Sequence, residues 1–421
     1  MPESNVIGAE LERVSTDLPI LFEKDDTFFS TIEKGEAEPI SKRDMRIPLK
    51  LRPGGQFGYT GFNGQDLGRG TSTLYDKAVI NTVGFRHAIE LTAEEIWATD
   101  DKRKAVINAF RDNLADAMKE FRRAVDVQCM TDGTGILGTI TTVATSGGVD
   151  TYTFTTDGFR AKLFRYGHKV NLFNSTLTTC RTGGGSQNEP TITFVDLANS
   201  TIKVTPAVTG AVAGDLIGTS GLQSTPPVGF LGVKYHNSNS SSGTWLGMDR
   251  ALNPEIRASR VNAASAALTL PLSRLAMNKI RDRIGNANKM KMTAWCHPAQ
   301  DAAYEEAAQT VMHINKTSGN EDVNLYFGDN KRLAGCPMKL SDAWDRTRID
   351  FIAGECWRRA EMHSADFYKN PENNNRLWET RGASGGVATA WNVYIVAMFN
   401  LYCNNPAGAA YIDNLAVPTG Y

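Results

Sequence analysis

Residues 101–138 constrain this chain more than any other part of it: a long, charged helical segment that breaks off into a glycine-spaced turn. Its apolar residues, Val106, Phe110, Leu114, Ala117, Met118, Phe121, Val125 and Cys129, recur at steps of three and four. That spacing lays one apolar stripe along a helix of roughly 30 residues, about 45 Å long, with Phe110, Leu114, Phe121 and Val125 as its packing residues. Thr99, Asp100 and Asp101 supply capping oxygens and negative charge at its start, and Asp132-Gly133 offers a stop where a left-handed residue closes the last turn. Such a rod is longer than most globular domains need.

The segment leaving the rod, Gly133-Thr134-Gly135-Ile136-Leu137-Gly138, matches the GxGxxG spacing. That fingerprint binds a dinucleotide only where it leaves a strand and opens a helix, because the pyrophosphate sits on the helix's N-terminal amides. Here a helix runs in, and the β-branched run Thr139-Ile140-Thr141-Thr142-Val143, unsuited to a helix start, runs out. The glycines therefore read as a helix-to-strand turn, and a dinucleotide-dependent oxidoreductase is the remote alternative.

Upstream of the rod, residues 1–41 show no sustained period and read as an arm packed on something else. Met45, Ile47, Leu49 and Leu51 then alternate with Arg46, Pro48, Lys50 and Arg52, the period of a strand with one apolar face, and Pro48 places that strand at an edge. It runs into Pro53-Gly54-Gly55 and a segment carrying Gly58, Gly61, Gly64, Gly68 and Gly70 around Phe57, Tyr59 and Phe62. Glycine at this density gives no core of its own, so the aromatics need a surface elsewhere. Residues 42–90 read as a projecting hairpin loop whose tip residues Phe57, Tyr59 and Phe62 make an inter-subunit contact.

Residues 91–139 read as one domain that carries the rod. From 140 to 250, short Thr- and Val-rich strands such as Thr191-Ile192-Thr193-Phe194-Val195 are separated by turn clusters, including Gly183-Gly184-Gly185 and Ser224-Thr225-Pro226-Pro227, which reads as an inserted β domain. Helical patterns return at 272–284 and 299–311, with strands expected at 338–340, 349–352 and 393–398, so 251–421 reads as α+β.

The chain offers little chemistry. Lys plus Arg number 45 against 46 Asp plus Glu, so no global field draws it onto nucleic acid or an anionic membrane, and Arg122-Arg123 and Arg358-Arg359 read as solvated faces or ion-pair members. Six cysteines without a CxxC spacing read as buried free thiols in a reducing cytoplasm. The N-terminal residues lack a signal-type pattern, and the longest apolar run, residues 391–403, is too short to cross a bilayer, so no membrane partner is expected. Cys296-His297 has no further ligand at a suitable offset, and Glu94-Glu95 and Glu305-Glu306 read as solvated. Asp350 and Glu355, flanking an apolar strand, are the acids expected to be buried. No catalytic, cofactor-binding or metal residue is assigned, and an enzyme is not expected.

The order of parts, arm, glycine-rich hairpin, rod, Asp132-Gly133-Thr134-Gly135 turn, β insertion and α+β domain, resembles the major capsid proteins of tailed double-stranded DNA phages, the Hong Kong 97-type capsid fold. Local passages carry the resemblance further: Ala211-Val212-Ala213-Gly214-Asp215-Leu216-Ile217 with Gly247-Met248-Asp249-Arg250 and Asn253-Pro254 is similar to the end of their insertion domain, and Leu333-Ala334-Gly335-Cys336-Pro337-Met338 to strands of their axial domain. The resemblance implies an α+β chain with an N-terminal arm, an extended β-hairpin loop, a long spine helix, an inserted β domain and an axial domain. It implies a homo-oligomer of pentamers and hexamers in an icosahedral shell, with a separate scaffolding protein, a portal, and packaged double-stranded DNA touched without sequence readout. The place of action would be the virion, assembled in the host cytoplasm. The stretch before the hairpin is too short for the fused scaffolding region of some relatives. Lys50 and Lys77 lie on the hairpin with no partner asparagine singled out, so covalent cross-linking is not expected. An encapsulin-like cellular nanocompartment is the rival within the same fold.

Overall fold

The computed structural model describes residues 28–35, 38–39, 44–59, 68–92, 103–155, 163–182, 188–222, 224–285, 290–309, 331–369, 376–381 and 387–418, with backbone alone for 38–39, 44, 91–92, 103–112, 308–309, 377, 379–381 and 387–389. Most of the arm, Phe62, Glu94-Glu95, Thr99 to Asp101, Gly183 to Gly185 and the side chains of Val106 and Phe110 lie outside the described residues.

In chain order come the hairpin strands β1 (Asp44–Arg52) and β2 (Leu74–Asn81), then β3 (Val83–Thr92) and the rod α1 (Arg103–Gln128). Next are β4 (Ile136–Ser146), β5 (Val149–Phe154), β6 (Val170–Phe173), β7 (Thr191–Asp196), β8 (Thr201–Thr205) and β9 (Leu216–Thr219). A single helical turn α2 (Val233–His236) precedes β10 (Ser259–Asn262), α3 (Leu270–Ile284), β11 (Met292–Cys296), α4 (Pro298–Gln309), β12 (Arg332–Leu333), β13 (Cys336–Leu340) and β14 (Ile349–Ala353). The chain ends in β15 (Trp357–Phe367), β16 (Leu377–Arg381), β17 (Val387–Cys403) and β18 (Ala410–Asp413). It divides into two compact units, one of residues 1–35, 82–129 and 359–400, the other of 36–81, 130–358 and 401–421.

The first unit holds the rod and a sheet built around β17, which is bonded to β3 in a register running from Ala390↔Thr92 to Phe399↔Val83. Val393, Ile395, Ala397 and Phe399 alternate inward on β17, so the apolar run at 391–403 is a strand buried on one face. The Phe399 ring packs on Phe29 at 4.8 Å and on Phe85 at 5.1 Å. Leu114, Ala117, Met118, Phe121 and Val125 are buried on α1, as the stripe predicts. The rod stops at Gln128, sooner than the expected stop at Asp132-Gly133, although Gly133 does take a left-handed φ of +95°. Asp126, Val127, Gln128 and Cys129 are all buried, so its last turn is enclosed on every side.

Among the described residues the second unit contains four sheets: the hairpin sheet, a two-stranded one at 244–249, and two of six strands. β6, β9, β4, β5, β8 and β7 form, in that order, an antiparallel sheet within residues 136–219, whose strand β4 opens at Ile136, ahead of the expected insertion start at 140, and meets β9 through Ile136, Gly138 and Thr139. β10, β18, β14, β11, β13 and β12 form a mixed sheet with β10 parallel to β18 and β11 parallel to β13. Ala276, Met277 and Ile280 of α3 pack into one core with Ala294, Cys296, Ile349, Phe351, Ala410 and Ile412 of that sheet. The helix starts where Thr269 Oγ1 accepts the Leu272 amide ahead of an N-terminal proline, and ends at Gly285 with φ +76°. His297 Nδ1 accepts the Ala299 amide at 3.0 Å, which makes it the entry cap of α4. Asp350 is fully buried as expected, whereas Glu355 is exposed, because the chain turns out of β14 into a 3-10 turn at Gly354–Cys356. Cys129, Cys296, Cys336 and Cys403 are buried free thiols, and Cys180 and Cys356 are partly so.

A neutral histidine is locked inside the second unit. His236 Nε2 bonds the Leu401 carbonyl at 3.0 Å and Nδ1 accepts from Trp245 Nε1 at 3.0 Å, with the Trp245 and Trp357 rings edge-on to the imidazole. Burial pushes its pKa from 6.5 down to about 3. The unfolded chain takes up this proton below pH 6.5 and the folded chain refuses it, so the contribution is whole above 6.5 and shrinks by roughly 1.4 kcal/mol per pH unit below it, until about pH 3. His236→Gln should lose about 1 to 3 kcal/mol at pH 7. In urea unfolding, the stability gap between parent and variant should narrow from pH 7 to pH 5; a constant gap would refute the neutral, proton-excluding histidine.

Candidate assembly surface

The hairpin is a two-stranded ladder whose β1–β2 register runs from Asp44↔Asn81 to Arg52↔Leu74, with an irregularity between Lys50 and Arg52. Its base is integrated with the second unit: Met45, Ala78 and Ile80 are buried, and the Val79 amide bonds the Leu246 carbonyl at 2.9 Å. Pro48 is opposite Lys77, and the only other strand on β1 among the described residues, Glu38–Pro39, pairs with Arg46 and Met45, so the proline sits past that pairing.

Further out, Arg52 Nε donates to Glu255 Oε1 at 2.7 Å and Nη2 to the Leu252 carbonyl at 2.9 Å, tying the strand to the turn at Pro254–Ile256. Burial alone would raise the Glu255 pKa, but the hydrogen bond and charge of Arg52, with the charge of Arg283, outweigh it and hold the carboxyl below its ordinary value. Both partners are more than a third exposed, so this pair orients the hairpin more than it stabilises the fold. Beyond Arg52 the strands close on each other at two glycines: the Gly55 amide bonds the Thr71 carbonyl at 2.8 Å, and the Gly54 amide the Thr73 hydroxyl at 3.1 Å.

Past that closure, among the described residues, the two aromatic side chains touch only each other. Phe57 is 90% and Tyr59 100% exposed, touching only edge to face at 5.9 Å. Leu74 and Tyr75 on β2 are also exposed; the sequence pattern does not reveal them, because its extended run resumes only at Ala78. Phe62 falls outside the described residues. Of the rod residues singled out, Leu114, Phe121 and Val125 are buried.

The GxGxxG segment is unlike a dinucleotide loop. It leads from α1 into β4, and two of its amides are taken: Thr134 N bonds Asp132 Oδ1 at 3.1 Å and Ile136 N the Thr134 hydroxyl at 3.4 Å. A Cβ at Gly229 would stand 2.7 Å from Gly135 N, so backbone covers the turn directly. Among the described residues no group of three or more His, Cys, Asp or Glu could hold a metal ion.

Comparison with solved structures places this architecture. A chain of the capsid asymmetric unit of cyanophage A-1(L) superimposes with a TM-score of 0.51 at 10% identity, over 91% of this chain and 90% of that one. A chain from the mature capsid of bacteriophage PhiM1 aligns at 10% identity over 94% and 88% with a TM-score of 0.42, and one from a virus-like particle of Pyrococcus furiosus at 6% over 96% and 99% with 0.41. No family profile and no curated protein sequence matches the chain. The fold is α+β and is the phage capsid fold of the Hong Kong 97 type.

Gly54 is where the hairpin tolerates no side chain, because a Cβ there would lie 2.5 Å from Thr73 N and 2.6 Å from Thr71 O. Gly54→Val should therefore spread the strands at this closure. Amide hydrogen exchange at Gly55 should accelerate at least severalfold while global stability changes by no more than about 1 kcal/mol. Unchanged exchange would mean the closure is not what holds the outer hairpin.

Proposed function

We propose that this chain is a major capsid protein, a structural subunit that self-assembles into an icosahedral shell around a phage double-stranded DNA genome. The observation that carries the reading is the outer hairpin, a rigidly anchored ladder that presents fully exposed aromatics beyond its last backbone closure. Burying each large apolar side chain is worth about 1.5 to 3 kcal/mol, and only a neighbouring subunit repeats that contact around a symmetric shell. The capsid fold spanning 91% of the chain supports the same reading. Phe57, Tyr59 and Phe62 are the proposed inter-subunit contacts, and Phe110, Leu114, Phe121 and Val125 the proposed packing face of the spine helix. Pentamers and hexamers, a separate scaffolding protein, a portal, non-specific DNA contact and assembly in the host cytoplasm complete the proposal. A net charge of -1 fits a container that lines DNA without reading it.

Replacing residues 54–70 by a short Asn-Gly turn should leave the subunit folded, with a melting temperature within a few degrees of the parent's, yet unable to build stable shells in sedimentation. Normal assembly of the trimmed chain would sink the partner assignment. Failure to fold would return the segment to the subunit's own core.

We also propose that the insertion folds independently from Ile136, where β4 opens, to residue 250, since the sheet from β4 to β9 is paired within itself and the β4–β9 register uses residues 136–139, ahead of the expected start at 140. Expressed alone, this segment should give a β-type circular dichroism spectrum and a cooperative melt. A random-coil spectrum would refute the boundary.

A further inference from the structure

Inward of its exposed rings the hairpin carries a second surface with apolar residues in the open. Arg52 and Leu74 are opposite each other in the β1–β2 ladder and therefore share one face of it. From that face Arg52 reaches the turn at Pro254–Ile256, where Nη2 donates to the Leu252 carbonyl at 2.9 Å and Nε to Glu255 Oε1 at 2.7 Å. Leu252 is 71% exposed and Leu74 43%, and the Arg52–Glu255 pair is itself partly exposed. A planar guanidinium thus has one exposed leucine across the ladder from its root and another at the residue its tip holds.

Charge does not explain what this surface is for. Glu255 balances Arg52, and the cations around the turn are committed to backbone. Arg283 donates to the Arg257 and Pro254 carbonyls at 2.6 and 2.7 Å, and Arg257 Nε to the Arg250 carbonyl at 2.8 Å. What the surface lacks is apolar contact. Phe57 and Tyr59, farther out on the same hairpin, have the complementary chemistry: flat apolar faces that pack on leucine, and a negative ring face that attracts a guanidinium. Within one chain they do not cover it, since both rings are almost wholly exposed.

We propose that Arg52, Leu74 and Leu252 form the receptor for the Phe57–Tyr59 tip of a second copy of this chain, an aromatic ring stacking on the Arg52 guanidinium between the two leucines. The assignment rests on the capsid reading and adds to it the surface that receives the hairpin. Tip and receptor are different surfaces, so the contact runs head to tail, and a head-to-tail contact repeated around an axis closes a ring of subunits. An arginine and an aromatic ring, enclosed by apolar groups that exclude water, is also the usual make-up of an interface hot spot.

The test uses the full chain. Chains carrying Tyr59→Cys are mixed with isotopically labelled chains carrying Leu252→Cys, assembled, and oxidised with diamide. Linked peptides are then identified by mass spectrometry, beside the parent treated alike to account for its six native cysteines. A 59–252 disulfide joining a labelled to an unlabelled chain is expected. Leu252→Ser keeps the carbonyl that Arg52 holds and removes only an exposed side chain, so it should raise the concentration needed for assembly about tenfold at an unchanged melting temperature. Absence of the inter-chain link, a link confined within single chains, or assembly of Leu252→Ser at the parental concentration would each overturn the receptor. The capsid reading would survive those results if trimming residues 54–70 still abolished shells; a parent chain that never assembles would overturn both.

Discussion

The second unit depends on a stretch with almost no regular structure, residues 229–258, to which its other parts are bonded. The Gly229 amide meets the Gly133 carbonyl and the Phe230 carbonyl accepts from Thr131, which fixes the turn entering the insertion. Asn237 and Arg348 both bond Asp350 in the middle of the mixed sheet, and Arg348 also donates to the Asn237 carbonyl at 2.8 Å. Leu246 takes the Val79 amide, and Leu252 and Glu255 take Arg52. Asp350 is what makes this arrangement obligatory: a fully buried carboxylate is tolerable only with its partners present, and it has Trp344 Nε1 at 3.0 Å as well as Asn237 and Arg348. Arg348, stacked 4.1 Å over the Tyr411 ring, keeps its charge because the attraction of Asp350 more than offsets its desolvation.

Such a hub is nearly invisible in a sequence. Its contacts join residues over a hundred positions apart, as in Asn237 with Asp350 or Arg52 with Glu255, and no period or motif announces them. What was legible is what local chemistry dictates. The stripe through Leu114, Phe121 and Val125 predicted a buried face, β17 was foreshadowed by its apolar run, and the reversed order around Gly133 identified a turn. Errors arose where tertiary packing overrode local signals. The rod ended at Gln128, before its glycine, with the Cys129 amide still bonded back to the Val125 carbonyl, and Glu355 was expected inside because its strand is apolar although the chain turns outward one residue earlier.

The hairpin shows the same division. Its glycines and aromatics were plain in the sequence, and so was the inference that the tip lacks a core. The anchoring was not, since Arg52 reads there only as the polar half of an alternating strand. Anchoring matters because a tip free to swing would lose orientational entropy on every contact it made, whereas one fixed at Arg52 and closed at Gly54 and Gly55 presents its rings already ordered up to the last bonded pair.

The distribution of bonds along β1 and β2 therefore separates two requirements that the proposed shell subunit must meet together. Inward of Arg52, buried Ala78 and Ile80 and the Val79–Leu246 bond stabilise the isolated chain; outward of Gly55, Phe57 and Tyr59 contribute nothing to it. Changes in the outer segment can thus alter association with little effect on folding, while changes at the base alter both. A surface whose apolar residues sit on a rigid, hydrogen-bonded stalk also limits indiscriminate aggregation, because the exposed rings reach only what a partner of matching shape brings to them.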